Sequence, residues 1–261
     1  MVKIWGLSLL SFFGFGTIPG SPIISGHVSL FGASYSLGRQ TDMNDLNTNT
    51  ELREHLITRL KAGLDTLDIS YGDEAIEKLI TFMSLLAEWN KTHNLTAVDD
   101  LEEMLSVHIF DCASIRPYIK GASLLDVGSG AGLPGMILAI LSPALSVTSV
   151  ETRNKKAQFQ MYAANQLQLE NFKVENVRIE DFKPKEKFGV ITCRAFSSIE
   201  NFVTGSRQAI APNGCWLAMK GVVPKEELKV LKKLNLKFDT FALKVPELDA
   251  QRNLIVISAP K

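Results

Sequence analysis

The stretch Leu124-Leu125-Asp126-Val127-Gly128-Ser129-Gly130-Ala131-Gly132-Leu133-Pro134-Gly135 decides the fold. It opens within Ser123–Val127, a short apolar run stopped by glycines; residues 136–141 read as a helix and 145–150 as a second apolar run. The unit is strand, helix, strand. Four glycines in eight residues at its first turn allow a backbone to come close to a ligand, because no side chain stands in the way. The plainer alternative is a tight turn. A dinucleotide fingerprint needs its third glycine at position 133, where Leu133 stands; the spacing here is Gly-x-Gly-x-Gly with Asp126 two residues ahead.

Downstream, apolar runs at 172–177, 189–193, 216–219, 238–245 and 254–258 are separated mostly by helical patterns at 155–167, 199–209 and 225–234. Such alternation predicts an α/β fold, a parallel sheet with helices on both faces. The last two strands have only a short connection and are expected to pair antiparallel at one edge. Upstream, Ile76, Leu79, Ile80, Met83, Leu86 and Ala87 recur at three and four, the stripe of an amphipathic helix over 73–89. Helices are also expected at 50–62 and 101–118. The predicted organisation is an extension over 1–42, a helical region over 43–120 and the α/β domain over 121–261.

The boundary near residue 42 comes from composition. The chain has 261 residues, 46% hydrophobic and 21% charged, ordinary for a globular protein. Before Asp42 the only charged residues are Lys3 and Arg39. The apolar stretch 4–15 superficially resembles a secretory signal but is too short to span a bilayer, and 14–38 has no sustained period. This extension is expected to lie outside the functional fold, with non-native sequence upstream of Met43 or a signal as the two accounts of it. Lys+Arg 28 balances Asp+Glu 28, so a polyanion site has to be a local patch. Cys112, Cys193 and Cys215 are distant and odd in number, which argues against a disulfide framework or zinc cluster and for a reducing cytoplasm. No membrane and no metal are expected, and a monomer is the default.

Candidate ligand groups gather after the strands. Glu151 ends the second strand, 23 residues beyond Gly128, where a carboxylate can accept hydrogen bonds from ribose hydroxyls; the nearby Arg153 leaves a phosphorylated nicotinamide dinucleotide open as ligand. Arg194 follows the fourth strand, with an ion pair to Asp126 or Glu180 as the structural alternative. His108 and Asp111 are three apart and share a helix face. Asn90, Lys91, His93, Asn94 and Thr96 form a polar loop after a buried helix. Three basic groups, Arg153/Lys155/Lys156, Lys183/Lys185/Lys187 and Lys220/Lys225, are expected to flank the carboxyl edge of one sheet and to suit phosphate contacts. Lys220 is the leading single candidate.

The Gly-x-Gly-x-Gly spacing resembles the first motif of Rossmann-like methyltransferases that use S-adenosyl-L-methionine (AdoMet). More specifically, the segments Trp89 to Thr96, His108-Ile109-Phe110-Asp111, Gly128 to Gly135, Arg194-Ala195-Phe196 and Lys220-Gly221 resemble the bacterial small-subunit ribosomal RNA methyltransferase G family, also called glucose-inhibited division protein B. The similarity runs from about residue 70 onward; Cys112 and Cys193 stand where that family usually has serine. The resemblance implies AdoMet-dependent methylation of guanine N7 in 16S ribosomal RNA, with the small ribosomal subunit as partner. It places cofactor contacts on Gly128, Leu133, Ile179, Glu180 and Arg194, beside the loop residues Ser129, Gly130 and Gly132 and the strand-end Glu151. Arg194 and Lys220 are the expected catalytic residues. A nicotinamide-dependent oxidoreductase and a non-catalytic ribosome-binding protein remain as alternatives.

Overall fold

Asn49 accepts a hydrogen bond from the Leu52 amide at 3.0 Å and so caps the first helix, α1 (Thr50–Thr66). The computed structural model describes residues 49–260; the 1–42 extension and its boundary lie outside the described residues. Helix α2 (Asp73–His93) buries the expected stripe, Ile76, Leu79, Ile80, Met83 and Leu86, and runs four residues past the expected end. It stops where Asn94 turns left-handed (φ 49°) and its amide returns to the Asn90 carbonyl.

The single helix expected over 101–118 is instead four short pieces. Helix α3 (Leu101–Met104), capped by Asp100, passes into a π-helical segment (Leu105–Phe110), then α4 (Asp111–Ala113) and a 3-10 turn (Arg116–Tyr118) that contains Pro117. The wider π turn has a tertiary correlate: the Val107 carbonyl accepts a hydrogen bond from Arg194 Nη1 at 3.0 Å.

Seven strands follow: β1 (Ser123–Val127), β2 (Ser146–Val150), β3 (Phe172–Glu175), β4 (Phe188–Arg194), β5 (Ile210–Lys220), β6 (Phe238–Leu243) and β7 (Arg252–Ser258), in the order β3-β2-β1-β4-β5-β7-β6. The first five are parallel, while β7 runs antiparallel to both β5 and β6. Helices α5 (Gly135–Leu141), α6 (Asn154–Gln166), α7 (Ile199–Ser206) and α8 (Lys225–Lys233) complete the order.

Adjacent residues of a strand face opposite sides, and each side has its own apolar cluster. Leu124, Val147, Val190, Leu217 and Leu254 join residues of α1 to α6, so the helical region and one face of the sheet share one continuous cluster. Leu125, Val150, Ile191, Trp216 and Ile255 join residues of α7 and α8. Trp216 is fully buried, and its indole N–H donates to Ser206 Oγ at 2.9 Å. The strand order reverses between β1 and β4, which opens a crevice at the carboxyl ends of these strands.

Candidate active site at the switch point

The turn after β1 is built from backbone that only glycine adopts readily: Gly128, Gly130 and Gly132 have φ of 67°, 60° and 86°. Its polar groups are tied down from both sides. The Gly128 amide donates to the Val150 carbonyl and the Gly130 amide to Glu151 Oε2, each at 2.8 Å. Beneath the loop, Gln160 Nε2 donates to Ser129 Oγ and to the Gly130 carbonyl, both at 2.8 Å, while Gln160 Oε1 accepts from Ser149. Ser129, Ser149 and Gln160 are buried, so this network is satisfied internally and holds the loop rigid.

Asp126 supports the same turn. Its Oδ2 accepts from the Gly135 amide at 2.8 Å, whereas Oδ1 has no hydrogen-bond partner, and the side chain is fully buried. Burial pushes its carboxyl up to about 7; the Gly135 amide and the Arg194 charge oppose that rise, and Glu151 adds to it. Gly135 has no room for a methyl group, since a Cβ there meets Asp126 Oδ2 at 2.8 Å.

The structure brings Gly128, Ser129, Gly130, Gly132 and Glu151 together at this turn. Glu151 is buried directly after β2, and its Oε1 accepts from the Arg153 amide at 2.8 Å. The Ser129 hydroxyl and the Leu133 side chain face inward, which leaves the loop backbone as their means of meeting a ligand. Ile179 is buried and Glu180 exposed in the turn after β3. That turn leans on α7, where a Cβ at Gly205 meets Glu180 Oε1 at 3.4 Å and Ile179 Cγ2 at 3.5 Å.

Arg194 is the last residue of β4. Its ion pair is neither with Asp126 nor with Glu180: Nη1 lies 3.4 Å from Asp111 Oδ2, 3.5 Å from His108 Nδ1 and 3.0 Å from the Val107 carbonyl. Arg252 Nε reaches the other Asp111 oxygen at 3.2 Å. Burial raises the Asp111 carboxyl against the pull of both arginines. Burial, with repulsion from Arg194, drops His108 to about 4, so it is neutral at physiological pH; its Nε2 sits 2.8 Å from Thr96 Oγ1. The Thr96 amide in turn donates to Asn90 Oδ1 at 2.8 Å. The polar loop after α2 is thereby linked, residue by residue, to Arg194.

Lys220 ends β5 and is not a free cation, because Nζ pairs with Glu227 Oε2 at 3.1 Å, and that oxygen also accepts from the Ile199 amide. Arg194, Lys220 and Arg252 line one cavity of about 360 Å³ with Asp111, Ala195 and Asn253. Sequence reasoning missed Arg252, Glu227, Ser149 and Gln160. For Arg252 a signal existed: an antiparallel final strand starts at the edge where the parallel strands end.

One basic group is misplaced by the sequence reading. Lys183, Lys185 and Lys187 border a groove with Ser123, Ser146 and Phe188, the first residues of β1, β2 and β4, and so stand at the amino edge of the sheet. Residues that immediately precede a parallel strand must lie there. Arg153, Lys155 and Lys156, which follow β2, do lie at the carboxyl edge. Cys112 and Cys193 are fully buried thiols, raised in pKa by that burial. Among the described residues no group of three metal-ligating side chains occurs, and no helix is long and apolar enough to cross a membrane.

Comparison with known proteins agrees with this geometry. Residues 75–255 match the family described as rRNA small subunit methyltransferase G. Proteins named Ribosomal RNA small subunit methyltransferase G from Methylobacillus flagellatus and Azoarcus sp. are 45% and 42% identical, each over 77% of this chain and over 97% and 95% of their own lengths. Two solved structures share the Rossmann-like methyltransferase fold. A SAM-dependent methyltransferase from Aquifex aeolicus has TM-score 0.50 and 16% identity over 64% of this chain and 97% of that one. A glycopeptide N-methyltransferase complexed with SAM has TM-score 0.51 and 7% identity over 59% and 87%. The chain belongs to the rRNA small subunit methyltransferase G family.

Proposed function

We propose that the chain transfers a methyl group from AdoMet to N7 of a guanine in the 16S RNA of the small ribosomal subunit, as a cytoplasmic monomer. The observation that carries this reading is that a left-handed glycine turn and a buried strand-end carboxylate at the switch point share the carboxyl edge of the sheet with a cavity lined by three cations.

The residues suit AdoMet. Gly128 and Gly130 present bare backbone between Phe196 and Lys156, and the orphaned Asp126 Oδ1 marks unused acceptor capacity under the same turn. In this reading the backbone of Gly128, Ser129, Gly130, Gly132 and Leu133 lines the aminoacyl end; the amides of Gly128, Gly130, Gly132 and Leu133 are donated within the protein, so carbonyl oxygens accept from the ligand's ammonium, Glu151 accepts from the ribose hydroxyls, and the Ile179–Glu180 turn covers the adenine. When bound, the cofactor supplies an electrophilic methyl group on a positively charged sulfur.

The chain's own work is alignment and exclusion of water. Guanine N7 has an in-plane lone pair and no proton at neutral pH, so no general base is needed. Neutral His108 therefore acts as a prop for Arg194. Arg194 and Lys220 hold phosphate or guanine O6, since a cation pressed against N7 opposes the charge that develops there. For Lys220 this means exchanging Glu227 for the RNA. The dinucleotide alternative has no support, as Leu133 occupies the position of the third fingerprint glycine.

The test is methyl transfer to 16S RNA or small subunits from cells lacking the gene. Transfer should be abolished, and binding kept, when the target guanine is 7-deazaguanine. The single-turnover chemical rate should vary little between about pH 6.5 and 8.5, a window spanning the ordinary histidine pKa. Methylation of the deaza substrate, or a log-linear rise with pH, would move the acceptor to another atom. RNA binding without any transfer would leave the non-catalytic alternative.

A further inference from the structure

Next to the glycine turn, two helices expose aromatic surface that the site described above does not use. Met161 and Tyr162 on α6 are 47% and 37% exposed, unusual for residues of their type in a helix that otherwise buries its apolar side chains. The Tyr162 ring is not loose. Its centroid lies 5.3 Å from that of Trp89 on α2, which in turn lies 5.0 Å from His93 and 5.5 Å from the buried Phe159. His93 is held by Thr92 Oγ1 at 2.6 Å. The rings form one braced patch anchored through Phe159 to the core.

Charge says what this patch suits. Lys155, Gln158 and Tyr162 stand at i, i+3 and i+7 and are all exposed, so they share one stripe of α6, with about 10 Å of helix axis between lysine and ring. Lys156 carries the stripe to the cofactor turn, since its Nζ lies 3.7 Å from where a Gly130 Cβ would sit. Among the described residues no ion pair occupies the side chains of Arg153, Lys155 or Lys156. Uncommitted cations beside a rigid exposed ring match a single-stranded polyanion with π faces: cations track phosphates and the ring takes a base.

We propose that Tyr162, braced by Trp89 and His93, is a stacking platform for an unpaired nucleobase of the RNA substrate, with Lys155 and Lys156 holding the phosphates between that base and the methyl-transfer site. This rests on the reading of the chain as an RNA methyltransferase and adds where the strand lies. The platform fixes register on the RNA, and the cavity between Arg194 and Lys220 receives the target.

The experiment measures binding of a fluorescein-labelled fragment of small-subunit ribosomal RNA to the full chain by anisotropy, with AdoMet affinity measured in parallel. Tyr162→Ala should weaken RNA binding roughly tenfold, within the range for loss of one base–aromatic stack, and leave AdoMet affinity unchanged. Tyr162→Phe keeps the ring and should stay within about twofold of the parent. Lys155→Ala should flatten the log–log salt dependence by roughly 0.7, the share of one phosphate contact on a single strand. RNA affinity unchanged in Tyr162→Ala overturns the platform and leaves the patch to a protein partner. If Tyr162→Ala loses AdoMet affinity as well, Tyr162→Gln, polar and helix-compatible, decides in its place. Wild-type protein that binds the RNA but never methylates it sinks the methyltransferase reading, while the anisotropy series still judges the platform.

Discussion

Replacing Asp126 by asparagine should make this protein more resistant to alkaline pH. The wild-type carboxyl is fully buried, has one partner for two oxygens, and is raised from 3.8 to about 7. Because the folded pKa lies above the unfolded one, the folded chain binds the extra proton between these values. The stability that the protonated carboxyl contributes is complete below 3.8 and is lost as pH rises through 7. Three units amount to about 4 kcal/mol, of which ~3 kcal/mol falls between pH 4.5 and 8. Asparagine keeps an acceptor for the Gly135 amide and never ionises. Its NH2 is as poorly partnered as Oδ1 was, a constant penalty of about 1–3 kcal/mol at every pH. The test is therefore a difference of differences: urea unfolding of both proteins at pH 4.5 and 8, without cofactor, so that every other titration cancels. The gap between variant and wild type should move by roughly 3 kcal/mol in favour of Asp126→Asn at pH 8. A gap that is flat within ~1 kcal/mol would mean that the carboxylate is solvated or has a cation partner, and the buried-acid argument would fail.

Four further outcomes are expected. Gly135→Ala drives a methyl group to 2.8 Å from Asp126 Oδ2, and overpacking of ~2–3 kcal/mol should lower Tm by about 4–12 °C; a change under ~2 °C would show that the turn can yield. His108 has the opposite sign to Asp126: its folded pKa is depressed to about 4, so stability is lost as pH falls from 6.5 toward 4, and His108→Gln should flatten that acid limb in the same unfolding assay. Arg194→Ala should lower kcat/KM at least ~30-fold in a folded protein, and Arg194→Lys should recover only part of it, because the lysine ammonium stops one bond short of the Nη1 that meets the Val107 carbonyl and Asp111 and offers no second terminal nitrogen; an unchanged kcat/KM would make the arginine purely structural. Removal of residues 1–42 should leave AdoMet affinity, measured by calorimetry, unchanged, and a large loss would move the boundary drawn from composition.

What was legible in the sequence was what local periodicity and turn chemistry encode. The strand Ser123–Val127 is observed at its expected bounds, the α2 stripe is buried except for the half-buried Ala87, and the last two strands pair antiparallel. The illegible parts depend on partners far away along the chain. The π turn at Leu105–Phe110 has helical composition, and what marks it is Arg194, 87 residues from Val107. Gln160 looks like a solvent residue of an amphipathic helix; burial makes sense only once Ser129 and Ser149 are brought beneath the glycine turn. The lysines before β4 were placed by composition, which is blind to strand direction. Direction alone sends them to the far edge of the sheet.

The position of β7 has a consequence for how the protein is made. Although it is the last of the seven strands to be synthesised, it lies inside the sheet between β5 and β6, and its first residue, Arg252, closes the buried contact with Asp111. Until that segment clears the exit tunnel, β5 has an open edge, Asp111 has lost one of its two counterions, and the cation-lined cavity is missing a wall. The cation-lined cavity is therefore the last part of the sheet's carboxyl edge to be completed, in whatever order the earlier strands pair.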